Sequence, residues 1–426
     1  MDQIGIIGLG YVGLPLATAF ADAGHPVVGY DIERQKIERL RAKPPMVTGV
    51  GPADRDEGGP EFTSDPERLR DCDVIITAVP TPLTETSEPD LSNVRSAGRT
   101  IGEQLQPGTT VVLESTVYPG ATREEFVPEI ERASGLSLGD DFDAGYSPER
   151  LVPGEERSLR DSVKPVSGHT DAVRSELMDL YESVVDELYP APSIESAEAA
   201  KCLENAQRDL NIALINEFAM ACHGVDSLDY EDVLSVADSK WNFVRYSPGL
   251  VEGHCIPIDP YFLIERLERL GRSASLMREA RAVNESVVDF IVGLIADALS
   301  ERDERIDGTN ENRLLACGLA YKPNAEDLRS EAKRRLFDEL RDLGIEPVGY
   351  DPHVDPADAA AAFDLEMWSS LDEGTAVGVL MLTDHDEFPP FSLDDIAAAY
   401  PGRPIVIDIS RVFDDRSTSD VIYQRF

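Results

Sequence analysis

The sequence predicts an α/β protein: a doubly wound α/β unit, an all-helical middle, and a second α/β unit. Three observations carry this. Short apolar strands alternate with helical periodicity over residues 1–190. One long helical pattern then runs from Glu195 to about Gly224, with further helices to about Leu299. A second set of strand-like runs fills residues 310–426.

In the first unit, residues 4–7 (IGII) read as a strand, followed by GLGYVG and a helix to about Gly24. Strand Val27–Tyr30 closes a βαβ unit and ends in Asp31. Further strands are expected at Val74–Thr77, Thr110–Glu114 and Phe142–Tyr146, in a parallel sheet. The helical middle, 191–300, reads as a spacer and a dimer surface, and the polar stretch 300–312 as a linker. Strands Arg313–Ala320, Pro347–Tyr350, Val377–Leu382 and Ile405–Asp408 build the last unit, a candidate distant copy of the first.

Composition narrows the function classes. The chain of 426 residues carries 81 acidic and 39 basic residues, a net charge of −42. Such a surface repels nucleic acid and anionic membrane. Two readings stand: a partner that takes cations, or a solvated surface adapted to high salt, where ions screen self-repulsion. Only seven basic residues are Lys, at positions 36, 43, 164, 201, 240, 322 and 333, which makes each of them informative. The five cysteines are scattered without a CxxC pair. They predict neither a disulfide framework nor a metal site, and they point to a reducing cytoplasm. No apolar stretch is long enough to span a bilayer, and the N-terminus reads as a first strand, not a signal peptide.

Gly8-Leu9-Gly10-Tyr11-Val12-Gly13 is GxGxxG between a strand and a helix. Gly8 permits the tight turn, Gly10 the approach of a pyrophosphate, and Gly13 close helix–strand packing. Asp31, at the end of the next strand, is placed to bond a ribose 2′-hydroxyl and to repel a 2′-phosphate, which favours NAD over NADP. Val79-Pro80-Thr81-Pro82 and Glu114-Ser115-Thr116 lie at strand ends facing the same crevice, although turn chemistry alone also favours such residues.

Lys201 and Asn205 share one helix face, suited to a developing oxyanion. The plainer alternative for Lys201 is a surface pair with Glu204 or Glu198. Cys255 sits in VEGHCIPIDP, too polar and turn-rich for an ordinary buried thiol. It is a candidate nucleophile, with Asp259 four residues on to position a proton or water. His254 is adjacent to Cys255, where side chains rarely face each other, and is expected to shape the pocket. Glu149, in YSPER, is a candidate acid or base.

Together GLGYVG, VPTP, ESTVYPG, YSPER, AKCLENAQRDLNIALINE, PGLVEGHCIPIDPY, GLAYKPNAEDLRSE and DISR make the chain resemble the nucleotide-sugar 6-dehydrogenases, the UDP-glucose and GDP-mannose dehydrogenase family. The cysteine motif looks most like the UDP-N-acetylhexosamine branch. The resemblance implies an N-terminal Rossmann domain (1–190), a central helical dimerisation domain (191–300) and a C-terminal Rossmann-like UDP-binding domain (310–426). It implies oxidation of a UDP-sugar C6 hydroxyl to the acid with two NAD, by a homodimer or higher homo-oligomer. Cys255 is then the nucleophile, Lys201 and Asn205 hold the oxyanion, Asp259 and Thr116 the water, and Glu149 assists hydrolysis. Gly8, Gly10, Tyr11, Val12, Gly13, Asp31, Lys36, Pro80, Thr81, Ser115, Thr116 and Arg329 match NAD positions. Glu149, Leu151, Lys201, Asn205, Tyr246, Gly249, Gly253, Tyr321, Lys322 and Arg411 match substrate positions.

Two features depart from the family: Glu252 stands where Gly is usual, and segment 44–62 is short. A carboxylate there costs affinity for a diphosphate unless it points away or meets a cation. Alternatives are a UDP-glucose or GDP-mannose 6-dehydrogenase, and an inactive sugar-nucleotide-binding protein. Two-electron hydroxyacid dehydrogenases lack both the cysteine and the third segment.

Overall fold

A computed structural model describes residues 2–42, 59–150, 159–225, 227–302, 312–370, 373–388, 392–400, 402–413 and 420–426. Most of segment 44–62, the greater part of the expected linker, and Leu151 lie outside the described residues. The chain divides into two compact units: Met1–Asn205 with Ile258–Ala274, and Ala206–Pro257 with Ser275–Phe426.

The first unit starts with β1 (Ile4–Ile7), α1 (Gly13–Asp22), β2 (Val27–Tyr30), α2 (Arg34–Ala42), β3 (Glu61–Thr63), β4 (Val74–Thr77) and α3 (Ser92–Gln104). It continues with β5 (Thr110–Leu113), α4 (Val127–Ser134), β6 (Asp143–Tyr146), β7 (Lys164–Gly168), α5 (Asp171–Tyr181) and β8 (Leu188–Pro190). The eight strands form one sheet in the order β3-β2-β1-β4-β5-β6-β7-β8. Strands β1, β2 and β4 are buried at every position, as apolar runs covered by helices on both faces must be. The parallel expectation fails at one place: β7 runs antiparallel to β6. Two serines lock that pair. Ser147 Oγ donates to Pro165 O at 2.8 Å and Ser167 Oγ to Tyr146 O at 2.7 Å.

The helical middle is shared. α6 (Ile194–Cys222) runs through the division, α7 (Tyr230–Asp238) and α9 (Ser275–Ser300) belong to the second unit, and α8 (Asp259–Arg269) to the first. The second unit then holds β9 (Arg313–Cys317), α10 (Glu331–Asp342), β10 (Glu346–Tyr350), α11 (Pro356–Phe363), β11 (Glu366–Met367), β12 (Gly378–Met381), α12 (Leu393–Ala399), β13 (Ile405–Asp408) and β14 (Ile422–Arg425). Its six strands are all parallel, in the order β11-β10-β9-β12-β13-β14. Both sheets reverse strand order beside their first strand, where doubly wound folds bind ligands.

The two units repeat one pattern in detail. Val28-Gly29-Tyr30-Asp31 recurs as Val348-Gly349-Tyr350-Asp351. Gly8 N–H donates to Tyr30 O at 2.9 Å, and Gly318 N–H to Tyr350 O at 3.0 Å. Leu9 N–H donates to Asp31 at 3.0 Å, and Leu319 N–H to Asp351 at 2.7 Å. Gly8 and Gly318 both have positive φ, +89° and +81°, which only glycine adopts without strain. They part company beyond that turn. Ala320 and Pro323 take the places of Gly10 and Gly13, and the next helix waits until Glu331.

Candidate functional site

The dinucleotide cradle forms in the first unit as its motif demands. A Cβ at Gly13 would lie 1.9 Å from Gly8 O, and one at Gly8 would lie 2.5 Å from Ala78 O. No protein atom comes within 4 Å of the Cβ position at Gly10, so its backbone faces open space at the start of α1. Tyr11 is exposed and Val12 leads into the helix. Asp31 is buried and accepts from Leu9 N, from Glu33 N at 2.9 Å and from Lys36 Nζ at 2.8 Å. Burial alone would raise its pKa, but Lys36 and the two N–H groups outweigh burial and hold the carboxylate below its ordinary range. Lys36 thus acts on the acid. Ser115 Oγ is 2.9 Å from Val79 N and 2.7 Å from Val79 O, tying the ends of β4 and β5. Asn93 donates to Pro80 O at 2.9 Å and fixes the turn that carries Thr81. Thr116, half-buried, follows directly on Ser115.

Lys201, Asn205 and Asp259 meet within this unit. Asn205 Nδ2 donates to Asp259 Oδ2 at 2.6 Å. Burial pushes the Asp259 carboxyl up to about 6, opposed by the Lys201 charge and the Asn205 bond. Neither surface partner offered to Lys201 competes for it. Glu204 pairs with Arg150, and Glu198 accepts from Gly120 N, Thr122 N and Thr122 Oγ1. Glu198 is fully buried and pairs with no cation among the described residues, so burial lifts it to about 7 despite those bonds.

Glu149 belongs to a buried cluster that motif reading missed. Lys164 Nζ lies 3.2 Å from Glu114 Oε2 and 3.4 Å from Glu149 Oε2, and Tyr181 OH donates to Glu114. Arg150 N–H caps the other Glu149 oxygen at 2.7 Å. Burial raises the Glu114 pKa in spite of Lys164; the two carboxylates, against burial, raise that of Lys164. The scarcity of lysine was the signal that could have found Lys164.

Cys255 lies in the second unit, on the loop before α8. It is the one partly exposed cysteine of five; Cys72, Cys202, Cys222 and Cys317 are buried. Burial raises the thiol pKa of all four, Cys72 to about 12, so they stay protonated and inert. The Cys255 loop is pinned at Gly249, whose N–H donates to Asn216 Oδ1 at 2.8 Å while Asn216 Nδ2 donates to Gly249 O at 3.1 Å. Asn216 donates to Asn284, Asn284 to Asp209 at 2.8 Å, and Asp209 is paired with Arg281 at 2.6 Å. This buried polar network links α6 to α9, and motif reading did not single it out.

Gly253 has φ +76°, and a Cβ there would touch the Tyr321 ring at 3.4 Å. His254 lies near Asp327: burial would raise the Asp327 pKa, and Arg329 and His254 hold it down. Arg329 is bound to Asp327, within the second unit. Lys322 lies 5.7 Å over the Tyr321 ring, and Tyr246 packs on the unit's core. Arg411, at φ +61°, stacks 3.9 Å over Tyr230 and donates to Glu231 at 2.7 Å. Glu252 meets a cation, Lys333, at 3.3 Å, which answers the concern its charge raised.

A glycine cradle answered by a buried acid, in a doubly wound sheet, defines an NAD-dependent oxidoreductase, and the second α/β unit adds a nucleotide-binding architecture. Residues 2–185, 195–286 and 315–415 match the NAD-binding, central and UDP-binding domains of the UDP-glucose/GDP-mannose dehydrogenase family. The chain is 37% identical to UDP-N-acetyl-D-glucosamine 6-dehydrogenase of Pseudomonas aeruginosa, over 97% of each chain. A solved UDP-D-ManNAc dehydrogenase from Pyrococcus horikoshii superposes with a TM-score of 0.85 at 29% identity, covering 99% of this chain and 98% of that one. An NDP-N-acetyl-D-galactosaminuronic acid dehydrogenase from Methanosarcina mazei gives 0.83 at 28% identity, over 100% and 95%. The chain belongs to the UDP-glucose/GDP-mannose dehydrogenase family, the NAD-dependent dehydrogenases of nucleotide sugars.

Removing Lys164 strands two buried carboxylates. Lys164→Met should lower unfolding stability in urea by about 3–5 kcal/mol. Because burial already raises the pKa of Glu114, the deficit should shrink as pH falls and Glu114 takes up a proton. A deficit that does not change with pH would remove Glu114 from the account.

Proposed function

We propose that this enzyme oxidises the C6 hydroxyl of a UDP-N-acetylhexosamine to the carboxylate through a Cys255 thioester. The observation that carries the reading is the cysteine pattern: one thiol is partly exposed, in a turn-rich loop, and four are buried. The names of similar proteins, which act on N-acetylated glucosamine, mannosamine and galactosamine derivatives, support the sugar class.

Bound NAD supplies the hydride acceptor for each of the two oxidations. Gly8, Gly10 and Gly13 would take its pyrophosphate, and Asp31, steadied by Lys36, its ribose. The alcohol proton leaves toward Asp259 and its water as the aldehyde forms. The Cys255 thiolate adds to the aldehyde carbon, and Lys201 and Asn205 stabilise the resulting oxyanion. The second oxidation leaves a thioester. Water held by Asp259 and Thr116, with assistance from Glu149, cleaves the C–S bond, releases the acid and returns the thiol. Tyr321, Lys322 and Arg411 would hold the uridine diphosphate, with Gly249, Gly253, Tyr246 and Leu151 around the sugar. Arg329, held to Asp327 through Nε and Nη2, would contact NAD.

The chain acts as a homodimer or larger homo-oligomer in this reading. Leu203 and Leu214 on α6 are 60% and 62% exposed, and Trp241 after α7 is 92% exposed. Such apolar exposure on helices fits a subunit contact. Five cysteines outside any disulfide fit a reducing cytoplasm, and no helix among the described residues is long and apolar enough to cross a membrane. The net charge of −42 fits a high-salt setting.

Cys255→Ser should abolish formation of two NADH per sugar across a panel of UDP- and GDP-sugars in high salt, with N-acetylated UDP-hexosamines the best wild-type substrates. Two NADH at near wild-type rate in the variant would exclude the thioester. For wild type, kcat/KM should fall as pH drops through about 6, where Asp259 becomes protonated, and Asp259→Asn should lose that limb along with about 10²–10⁴-fold of rate. Thermal unfolding should move to lower temperature as KCl is withdrawn; an unchanged Tm in dilute buffer contradicts salt adaptation.

A further inference from the structure

The loop that carries Cys255 is held by a buried ion pair that the proposed chemistry does not use. Between the anchored Gly249 and the thiol, the Glu252 side chain turns inward and is 7% exposed. Its carboxylate lies 3.3 Å from Lys333 Nζ, which is fully buried. Burial raises the Glu252 pKa, and Lys333 and the nearby Ser330 hydroxyl oppose that rise. Lys333 stands in the first turn of α10, where Ser330 Oγ also caps Lys333 N–H at 3.0 Å.

The ammonium has a second set of partners. It donates to Ala320 O at 2.6 Å and to Thr383 Oγ1 at 2.8 Å, with Leu319 O at 3.4 Å. Leu319 and Ala320 form the turn after β9, and both their N–H groups donate to Asp351. That turn leads directly into Tyr321 and Lys322. The two loops also touch twice more: Gly253 N–H donates to Arg329 O at 3.2 Å, and Gly253 faces the Tyr321 ring.

A buried ammonium with two good neutral acceptors still needs a counter-charge, and Glu252 supplies it. The same charge fixes the side chain three residues before the nucleophile. We infer that Glu252 and Lys333 are positioning residues that clamp the Cys255 loop to the turn carrying Tyr321 and Lys322, setting the separation between the thiol and a nucleoside diphosphate held by that turn. This rests on the proposed roles of Cys255 and of the 321–322 turn. The pair acts as a ruler: the nucleotide end binds, and the clamp delivers the sugar carbon to the sulfur.

The test must separate positioning from stability. Either single change, Glu252→Gln or Lys333→Met, disturbs a buried charge and should lower the Tm. The double variant Glu252→Met/Lys333→Met removes both charges at similar volume, so it should recover most of that Tm. With full-length protein, UDP as competitive ligand should bind the double variant within about twofold of wild type, because Asp351 still holds the Leu319 and Ala320 N–H groups when their carbonyls lose the ammonium. The kcat with the best sugar of the panel should fall about 10–100-fold, the scale expected when a reacting group is misplaced by about 1 Å. Alkylation of Cys255 by iodoacetamide, read by mass spectrometry, should lose the slowing that UDP causes in wild type.

A double variant with wild-type kcat and a UDP-sensitive thiol would overturn the clamp and leave the pair a matter of stability. The clamp is equally overturned if UDP does not slow alkylation in wild type. If instead Cys255→Ser keeps full four-electron turnover, the nucleophile reading fails first, and that result is distinct from either outcome for the pair.

Discussion

A carboxylate buried in this fold keeps its charge only where a cation or several N–H donors meet it. With 81 acidic against 39 basic residues, cations are scarce, and where they are placed shows what the fold protects. Asp31 takes Lys36, Glu114 and Glu149 share Lys164, Glu252 takes Lys333, and Asp209 takes Arg281. The first steadies the dinucleotide acid, the second the Glu149 loop, and the last two the loop of the thiol. Four of the seven lysines then belong to built sites once Lys201 beside Asp259 is counted, and that is before Lys322 is considered.

Carboxylates without a full partner behave in the opposite way. Glu198 has only N–H and hydroxyl donors, and Asp259 has one amide and a more distant ammonium. Both are pushed up, to about 7 and about 6. Burial thus brings both carboxyls toward neutral pH, out of the ordinary carboxylate range. Partnering and its absence therefore decide which buried acids keep their charge.

Much of this is legible in the sequence. Apolar runs bounded by Gly and Pro locate the central strands, because a strand covered on both faces has no choice but to be apolar throughout. GxGxxG with Asp31 locates the cradle, because the turn has no room for a side chain at Gly8 or Gly13, and Lys201 with Asn205 follows from helical spacing. What stays hidden is anything set by partners distant in sequence. Lys164 reaches Glu114 across 50 residues, Asn216 reaches Asn284 across 68, and no local pattern marks either. The antiparallel β7 is equally silent, since the serine–carbonyl bonds that accompany its pairing join residues about 20 apart in sequence. Glu252 stands out as an oddity in its motif, but its meaning depends on a lysine 81 residues away.

The recurrence of Val-Gly-Tyr-Asp in both units bears on how such a protein can be rebuilt. Asp351 stands where Asp31 stands, after the same strand and the same glycine turn. Its oxygens, however, take the N–H groups of Leu319, Ala320 and His353 and the ring of His385. The acid that in one half borders a cofactor cradle has in the other become masonry. Two halves built on one pattern have thus divided its uses between them. An engineer hoping to give the later half a cofactor of its own would find the acid already in place. The missing parts are two glycines and a helix that starts on time.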